Sequence, residues 1–195
     1  MTVDQQSTIE QDVETKVVAA VARALDLPPE QIELGASLQE DYGAESLDIL
    51  EIVFALETAF RIRMPKTNLM QHVQERFGEE KFLHQGQLTD FALRVLRELR
   101  PEIDPALFTP GLRVHEVARL VTTQTFVRLA LRMVEGKAEA LEALRASGCT
   151  TCGSHDIGES LAAPEFLCNA CGAVYPTPSG DDVLIHDIEA LKIDD

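Results

Sequence analysis

Residues 41–60 read DYGAESLDILEIVFALETAF, and this stretch joins a glycine turn to a long apolar run. Apolar residues recur at helical spacing from Ser46 to Arg63, which predicts an amphipathic helix packed in a bundle. Pro65 is expected to end this helix. The predicted apolar face consists of Leu47, Leu50, Val53, Phe54, Leu56 and Phe60.

An earlier helix is predicted before this stretch. Ser7 and Glu10 have the spacing of a capping box, in which each side chain satisfies a backbone N–H, so the helix is expected to start there. Pro28 and Pro29 end it, and residues 30–42 are predicted to form a long ordered loop. The apolar stripe recurs every four residues and comprises Ile9, Val13, Val17, Val21 and Leu25.

Apolar residues also recur at helical spacing after Pro65. Helices are predicted over residues 88–100, 112–133 and 137–146, with prolines and the turn at Thr109 to Gly111 between the first two. The fold class is therefore mainly α, a helical bundle with inserted helices, followed by a small β-rich domain at the C-terminus.

Charge restricts the partners of this 195-residue chain. Its formal charge of -16 argues against nucleic acid, because phosphate backbones are bound by Lys and Arg, and favours partners with basic faces. Acids outnumber bases by about 13 to 4 in residues 1–65 and by about 9 to 1 after residue 148, whereas the middle is neutral. Residues 1–7 lack a signal pattern and no apolar run approaches the roughly 20 residues of a membrane span, so a cytoplasmic protein is expected.

Ser46 lies where the loop ends and the predicted helix begins. The simplest interpretation is an N-cap, since serine is common there. A helix N-terminus also favours an attached phosphodiester, because its free N–H groups attract anions. A hydrolase or transferase that uses Ser46 as nucleophile is disfavoured, since the nearest histidine in sequence is His72 and no GxSxG elbow surrounds the serine.

The stretch GAESLDILEIVFALETAF resembles the core motif of acyl carrier proteins, Gly-x-Asp-Ser-Leu followed by an acidic second helix, and the likeness covers about residues 8–65. It implies a helical bundle whose Ser46 receives phosphopantetheine from coenzyme A through a phosphopantetheinyl transferase, and a carrier rather than an enzyme. Acyl-processing enzymes with basic docking faces are the other implied partners. Glu45 stands where the family has aspartate. Leu47 maps to a packing residue of the helix, and the expected partner-binding residues are Asp41, Glu45, Leu47, Asp48 and Glu51.

The last helix of this family is best matched by LRVHEVARLV at 112–121, which leaves an extension over about residues 66–111. We expect the extension to pack on the bundle as a lid or partner surface, and an extra pair of core-covering helices is the alternative. His72, His84 and His115 are interpreted as ordinary packing or surface residues.

Four cysteines form two CxxCG knuckles separated by about fifteen residues. Four thiolates leave no open coordination position, which predicts a structural zinc ion bound by Cys149, Cys152, Cys168 and Cys171. A redox CxxC, or paired disulfides in a labile loop, is the alternative. The glycines, Gly153 and Gly172, allow the positive φ of a knuckle. With the later VYP and VLI segments, the region 141–187 resembles the Trm112-like zinc-ribbon proteins, which implies an apolar strand at 183–185 and a partner-binding role.

The sequence therefore predicts a bundle over residues 1–135, a helical linker over 136–148 and a zinc ribbon over 149–195. The first functional hypothesis is an acyl carrier whose ribbon recruits a partner that the sequence does not identify. The second is an unloaded zinc-ribbon adaptor that docks or activates an enzyme, and Glu45 is the feature that favours it.

Overall fold

The computed structural model describes residues 3–193, and these residues form a mainly helical protein with two small antiparallel sheets, which confirms the predicted fold class. The helices are α1 Val3–Ala24, α2 Ser46–Phe60, α3 Leu69–Phe77, α4 Glu79–Phe82, α5 Asp90–Leu99, α6 Val114–Val117, α7 Thr123–Ser147 and α8 Gly180–Ala190. Short 3-10 turns occupy Pro29–Gln31, Pro105–Leu107 and Ala118–Leu120. The strands are β1 Leu83–His84, β2 Gln87–Leu88, β3 Ile157–Glu159, β4 Glu165–Cys168 and β5 Val174–Pro176.

The first hydrophobic core lies between α1, α2 and the first half of α7. The stripe predicted along α1 is confirmed, because Val13, Val17 and Val21 are fully buried. Helix α2 ends at Phe60, before the predicted end, because Arg61 adopts the left-handed conformation with φ 51°. The other helices contribute Ile52, Leu56, Phe60, Phe126, Val127, Ala130 and Met133 to this core.

The predicted start of α1 is wrong. The helix already includes Val3, so Ser7 lies inside it and does not cap its N-terminus. The segment before Ser7 contains no glycine or proline that would end a helix. A capping pattern within a sequence of helix formers therefore does not set the boundary.

The loop between α1 and α2 is held against α7. Leu38 is buried, and its N–H donates to the Val121 carbonyl over 3.0 Å. The Ser37 hydroxyl donates to the Arg119 carbonyl over 2.6 Å, and the Gln124 N–H donates to the Leu34 carbonyl over 2.8 Å. These bonds fix the loop that leads to Ser46.

The last bundle helix is not the predicted segment 112–121. That segment forms α6 and a 3-10 turn, and α7 starts afresh after Thr122, whose side chain accepts the Thr125 N–H. Backbone bonds to the loop hold Val121 and Thr122 extended, so one helix over 112–133 cannot form. Helix α7 then continues to Ser147, which includes the predicted separate helix at 137–146.

The extension builds a second core of its own. Helices α3 to α6 and the β1–β2 hairpin surround Phe82, Leu93, Leu96 and Phe108, which are almost fully buried. Helix α8 returns from the C-terminus and adds Ile188 to this core. Helix α5 lies within the predicted helix at 88–100, whereas α3, α4 and the hairpin were not predicted.

The segment predicted as an apolar strand, 183–185, is part of α8. Ser179 caps the helix, since its side chain accepts the Asp182 N–H while Asp182 accepts the Ser179 N–H over 2.8 Å. Gly180 is required where the backbone approaches Pro65, because a Cβ atom at Gly180 would lie 2.3 Å from Pro65. The capping box and the packing of Val183 in the first core therefore outweigh the β propensity of valine and isoleucine.

Asp181 joins α8 to the start of the extension. Its carboxylate accepts the N–H groups of Lys66 and Thr67 and lies 3.0 Å from Nε2 of buried His72. Burial opposes ionisation of this carboxyl group, but these hydrogen bonds outweigh burial and lower the pKa of Asp181. His72 is therefore a packing residue, as predicted.

Lys137 connects the bundle to the C-terminal sheet. Its buried ammonium donates to the carbonyl of Phe60 over 2.9 Å and to Glu159 over 2.8 Å. These acceptors lie at the end of α2 and in β3, so one side chain of α7 joins both regions.

We expect Lys137→Met to lower the free energy of unfolding by about 1–3 kcal/mol, because it removes a charged donor from two acceptors. The measurement is denaturant unfolding monitored by circular dichroism. Lys16→Met is the matched control. The ammonium of exposed Lys16 bonds to Asp12 of the same helix and lies 5.4 Å from the centre of the Phe60 ring, so its loss should cost less than about 1 kcal/mol. Equal effects of the two substitutions would contradict the bridging role.

Candidate functional site

Ser46 is the first residue of α2, and its side chain is exposed. Glu45 occupies the N-cap position with φ -98° and ψ 171°, so the interpretation of Ser46 as the N-cap is wrong. Within residues 3–193 the Ser46 hydroxyl makes no hydrogen bond. It is therefore free to react at a position where the helix N-terminus favours an anion.

The backbone before Ser46 is fixed by a turn. Gly43 has φ +70°, a left-handed conformation that glycine adopts without strain. Ala44 is buried, and its N–H donates to the Leu38 carbonyl over 2.8 Å. The Glu45 N–H donates to the Asp48 carboxylate over 2.7 Å. These contacts hold Ser46 at the surface on a rigid support.

The acids predicted to bind partners differ in their roles within the chain. Asp41 accepts the Ser37 N–H over 2.7 Å, and Asp48 accepts the Glu45 N–H, so both also stabilise local backbone. Glu51 is exposed and lies 3.7 Å from Arg23 of α1. Together with exposed Glu45 they place four acidic residues within five positions of Ser46 in the sequence.

The predicted apolar face of α2 is partly wrong. Leu47, Leu50 and Phe54 are 75%, 49% and 62% exposed, so Leu47 does not pack inside the bundle. The inward face is formed by Ile49, Ile52, Val53, Leu56 and Phe60. The outward leucines and phenylalanine line a groove of about 720 Å³ between α1 and α2. Sequence reasoning missed this groove because α2 is apolar around most of its circumference.

Residues 15–74 match the protein family described as "Phosphopantetheine attachment site". These residues are similar to a phosphopantetheine attachment domain. The acyl carrier protein of Campylobacter curvus (strain 525.92) is 40% identical over 47 residues, which cover 24% of this chain and 61% of that protein. The chain thus spans about 61% of the curated relative's length. No solved structure matches the chain.

The matched region includes the last ten residues of α1, the loop that leads to Ser46, the whole of α2 and the first residues of α3. Ser46 and the surrounding acids all lie within it. The extension beyond α3, the long helix α7 and the cysteine region lie outside the match. None of the helices in residues 3–193 is long and apolar enough to cross a membrane.

The four cysteines meet at a second candidate site. The Sγ atoms of Cys149 and Cys171 lie 3.6 Å apart, those of Cys152 and Cys168 lie 3.7 Å apart, and all four lie within 4.8 Å of one another. A tetrahedral zinc ion with Zn–S bonds of about 2.3 Å separates its sulfur ligands by about 3.8 Å. Disulfide sulfurs would lie about 2.05 Å apart. The donor set and spacing therefore fit a structural zinc ion.

Both knuckles have the predicted backbone. Gly153 and Gly172 have φ +74° and +77°, and their N–H groups donate to the carbonyls of Cys149 and Cys168 over 2.7 and 2.8 Å. The antiparallel sheet of order β3-β4-β5 places Cys168 opposite Ile157, so buried Cys168 packs on the small core of this region.

Tyr175 was not predicted to take part in this site. Its hydroxyl donates to Cys149 Sγ over 3.0 Å and accepts the Thr150 N–H over 2.9 Å. The bond from Tyr175 lowers the pKa of Cys149 to about 5, which favours the thiolate that binds metal. The sequence feature that could have indicated this role is the tyrosine itself, because it places a hydrogen-bonding hydroxyl in the short strand β5 that follows the second knuckle.

We expect Tyr175→Phe to weaken zinc affinity about ten-fold, because partners that orient a metal ligand typically contribute that much. Competition with a chelator of known affinity measures the change. Thr177→Ala is the control, since the Thr177 hydroxyl donates to the Pro164 carbonyl and not to a sulfur. Unchanged affinity in Tyr175→Phe would contradict the role of the hydroxyl.

The histidines nearest to the cysteines in sequence lie outside the cluster. Nδ1 of His155 lies 2.6 Å from the Arg145 carbonyl, and His186 is exposed on α8. Within residues 3–193, the cluster that can hold a metal ion consists of the four cysteines alone.

Proposed function

We propose that this chain is an acyl carrier that holds acyl intermediates as thioesters on a phosphopantetheine arm at Ser46 and delivers them to biosynthetic enzymes. The observation that carries the proposal is the free, exposed Ser46 hydroxyl at the first position of α2, inside the region that matches the attachment family. The arm, when attached, supplies the thiol that forms the thioester. The chain itself contributes binding and presentation, and catalysis takes place on its partner enzymes.

Loading requires a phosphopantetheinyl transferase and coenzyme A. The Ser46 hydroxyl would give its proton to a base of the transferase, and its oxygen would form a bond to the phosphorus next to the pantetheine. The pyrophosphate bond of coenzyme A would break, and adenosine bisphosphate would leave. The phosphodiester would be attached at the first residue of α2, where the N–H groups of the helix N-terminus would favour its negative charge. Asp48 holds the N-cap backbone and so fixes the position of the serine.

The proposed partners are the transferase and acyl-processing enzymes of fatty acid or polyketide synthesis that carry basic docking faces. The contact residues proposed on this chain are Asp41, Glu45, Leu47, Asp48 and Glu51, which lie within five positions of Ser46 in the sequence. The net charge of -16 supports such partners and disfavours nucleic acid.

We divide the chain into a carrier bundle over residues 1–135 with an extension over about 66–111, a helical linker over 136–148 and a zinc ribbon over 149–195. The proposed ligands of the structural zinc ion are Cys149, Cys152, Cys168 and Cys171. We propose that the ribbon binds a partner, and its likeness to the Trm112-like class stays a prediction.

Intact-protein mass after incubation with coenzyme A and a broad-specificity transferase tests the carrier function. A gain of one phosphopantetheine is expected. No gain with several transferases, although the fold is intact, would favour the alternative, an unloaded adaptor that docks or activates an enzyme. Glu45 is the residue that supports this alternative, because glutamate is a weaker N-cap than aspartate.

A further inference from the structure

A second cleft lies between the end of α2 and residues 161–164, which belong to the ribbon loop between β3 and β4. Its volume is about 500 Å³, which is within the range of small-molecule sites, about 300–1,000 Å³. Among the described residues that line it, the charged ones are Glu57, Arg61 and Arg63. The bases therefore outnumber the acid, although the chain as a whole has 33 acids and 17 bases. We call this depression the arginine cleft.

The Arg61 guanidinium is available to a ligand. Among the side chains that the structure describes, it makes no hydrogen bond and no ion pair. Arg61 is the C-cap of α2 with φ 51°, a conformation that costs arginine more than glycine. The carbonyls at this helix end have other donors, because the Glu57 carbonyl accepts the Arg61 N–H and the Phe60 carbonyl accepts the Lys137 ammonium. The exposed side chain is thus not used to cap the helix.

Arg63 is held in place on the same wall of the cleft. Its partly buried guanidinium donates to the Pro164 carbonyl over 3.3 Å, which uses one of its five N–H donors. Glu57 does not neutralise the arginines, since its Oε1 atom accepts the Met64 N–H over 2.9 Å and no ion pair joins it to Arg61 or Arg63 within the described residues. The cleft therefore keeps cationic donors that no carboxylate of the described residues binds.

The ribbon side of the cleft is apolar and has a fixed backbone. The Pro164 carbonyl also accepts the Thr177 hydroxyl over 2.8 Å, and the Glu165 N–H donates to the Ala163 carbonyl over 2.8 Å. Leu161 is nevertheless 81% exposed. A ligand with an aliphatic part would cover this side chain, which favours binding because apolar surface leaves water.

We propose that the arginine cleft binds the carboxylate end of an aliphatic acid. Arg61 and Arg63 supply N–H donors in the planar arrangement that suits a carboxylate, and residues 161–164 pack on the aliphatic part. The excess of one positive charge over Glu57 matches the single charge of a carboxylate better than the nearly two charges of a phosphate group. The apolar wall favours an aliphatic acid over an inorganic anion.

Two sources can supply this carboxylate, a free acid in solution or an acyl group on the arm at Ser46. Helix α2 has 15 residues, so the cleft lies about 22 Å from Ser46 at about 1.5 Å per residue. The arm has about 14 bonds and spans about 17 Å at about 1.2 Å per bond of an extended chain, and a five-carbon acyl group that ends in a carboxylate adds about 7 Å. Such an acyl group reaches the cleft. The second source rests on the carrier function proposed above.

Hexanoate is the probe for the free acid, and its binding to the unloaded full chain is measured by amide chemical shifts in nitrogen-15 NMR spectra. We expect shifts at residues 61–64 and 161–163 with a Kd of about 1 mM, and at least ten-fold weaker binding of hexan-1-ol, which has the same chain length without the charge. Arg61→Gln and Arg63→Gln should each weaken hexanoate binding about ten-fold, because a hydrogen bond between charged groups typically contributes that much. Arg94→Gln is the control, since Arg94 is exposed on α5 and lies outside the cleft.

The same amides test the acyl group as the source. The chain is loaded from glutaryl-coenzyme A or, as the uncharged control of equal length, from pentanoyl-coenzyme A, and intact-protein mass verifies the loading. Shifts at residues 61–64 in the glutaryl-loaded chain alone, reduced in Arg61→Gln, would assign the cleft to the acyl group.

Three results would overturn the proposal. The cleft amides are unchanged both with hexanoate and in the glutaryl-loaded chain, or hexan-1-ol binds as tightly as hexanoate, or Arg61→Gln and Arg63→Gln both bind like the parent. Arg61→Gln removes no contact within the described fold, so a loss of binding in this variant does not report unfolding. Hexanoate binding requires no arm, so a chain that binds hexanoate but gains no mass would contradict the carrier function and support the cleft.

Discussion

Ser46→Ala leaves the chain folded and abolishes its loading with phosphopantetheine. The hydroxyl is the only group of this side chain that can form the phosphodiester, and it is exposed at the start of α2. The stability should change by less than about 0.5 kcal/mol, because the residue is on the surface and alanine favours the helix. Intact-protein mass after reaction with coenzyme A and transferase measures the loss, and thermal unfolding verifies the fold.

Thr58→Ala is the matched control for this prediction. Thr58 is an exposed hydroxyl residue on the same helix, and its hydroxyl donates to the Phe54 carbonyl over 2.9 Å. Its loss should leave loading at the parent level. A mass gain in Ser46→Ala equal to that of the parent would move the attachment site to another residue and contradict the assignment.

The parts of the molecule that could be predicted from sequence are those with local spacing rules. The CxxCG knuckles fix their own turns, and the four-residue stripe of α1 has one clear buried face. Ser46 was identified from the glycine turn and the acidic helix that follow one another in the chain. These signals depend on neighbours in sequence, so tertiary contacts do not alter them.

The orientation of α2 could not be predicted in the same way. Apolar residues surround most of the helix, so Leu50 and Phe54 seemed as suitable for the core as Ile52 and Leu56. The contacts with α1 and α7 decide which side is buried. The exposed side then forms the groove next to Ser46, which is why sequence reasoning missed it.

The boundaries around the second core depended on long-range contacts. The predicted helix over 112–133 is broken at Thr122, because Val121 and Gln124 form backbone hydrogen bonds with the loop between α1 and α2. The apolar segment at 183–185 is helical because α8 packs on α3 and α7, and the Ser179–Asp182 capping box starts it. The capping residues Thr122 and Ser179 were visible in the sequence. The apolar pattern nevertheless predicted one continuous helix across Thr122 and a strand after Ser179.

Cys168→Ser removes the metal ion and loosens the ribbon while the carrier end remains intact. Cys168 is fully buried, and it packs with Ile157, Phe166 and Leu141. A structural zinc site supplies on the order of 10 kcal/mol of binding free energy that folds a small domain. Zinc content should fall from close to one ion per chain to a small fraction, as measured by native mass spectrometry. Thr151→Ala, in the first knuckle but without a ligand role, should retain the ion.

In Cys168→Ser, the loss of structure should extend from the ribbon only to the helical residues that the ribbon contacts. β3 holds α7 through Glu159 with Lys137 and through the Ile157 carbonyl, which accepts a bond from Arg145 over 2.7 Å. Hydrogen exchange should therefore accelerate in β3, β4 and the last turns of α7. Ser46 lies at the opposite end of α2 from Phe60, the residue that Lys137 contacts, so loading of Cys168→Ser should match the parent. Retained zinc, or loss of loading together with loss of the ion, would contradict this separation of the two sites.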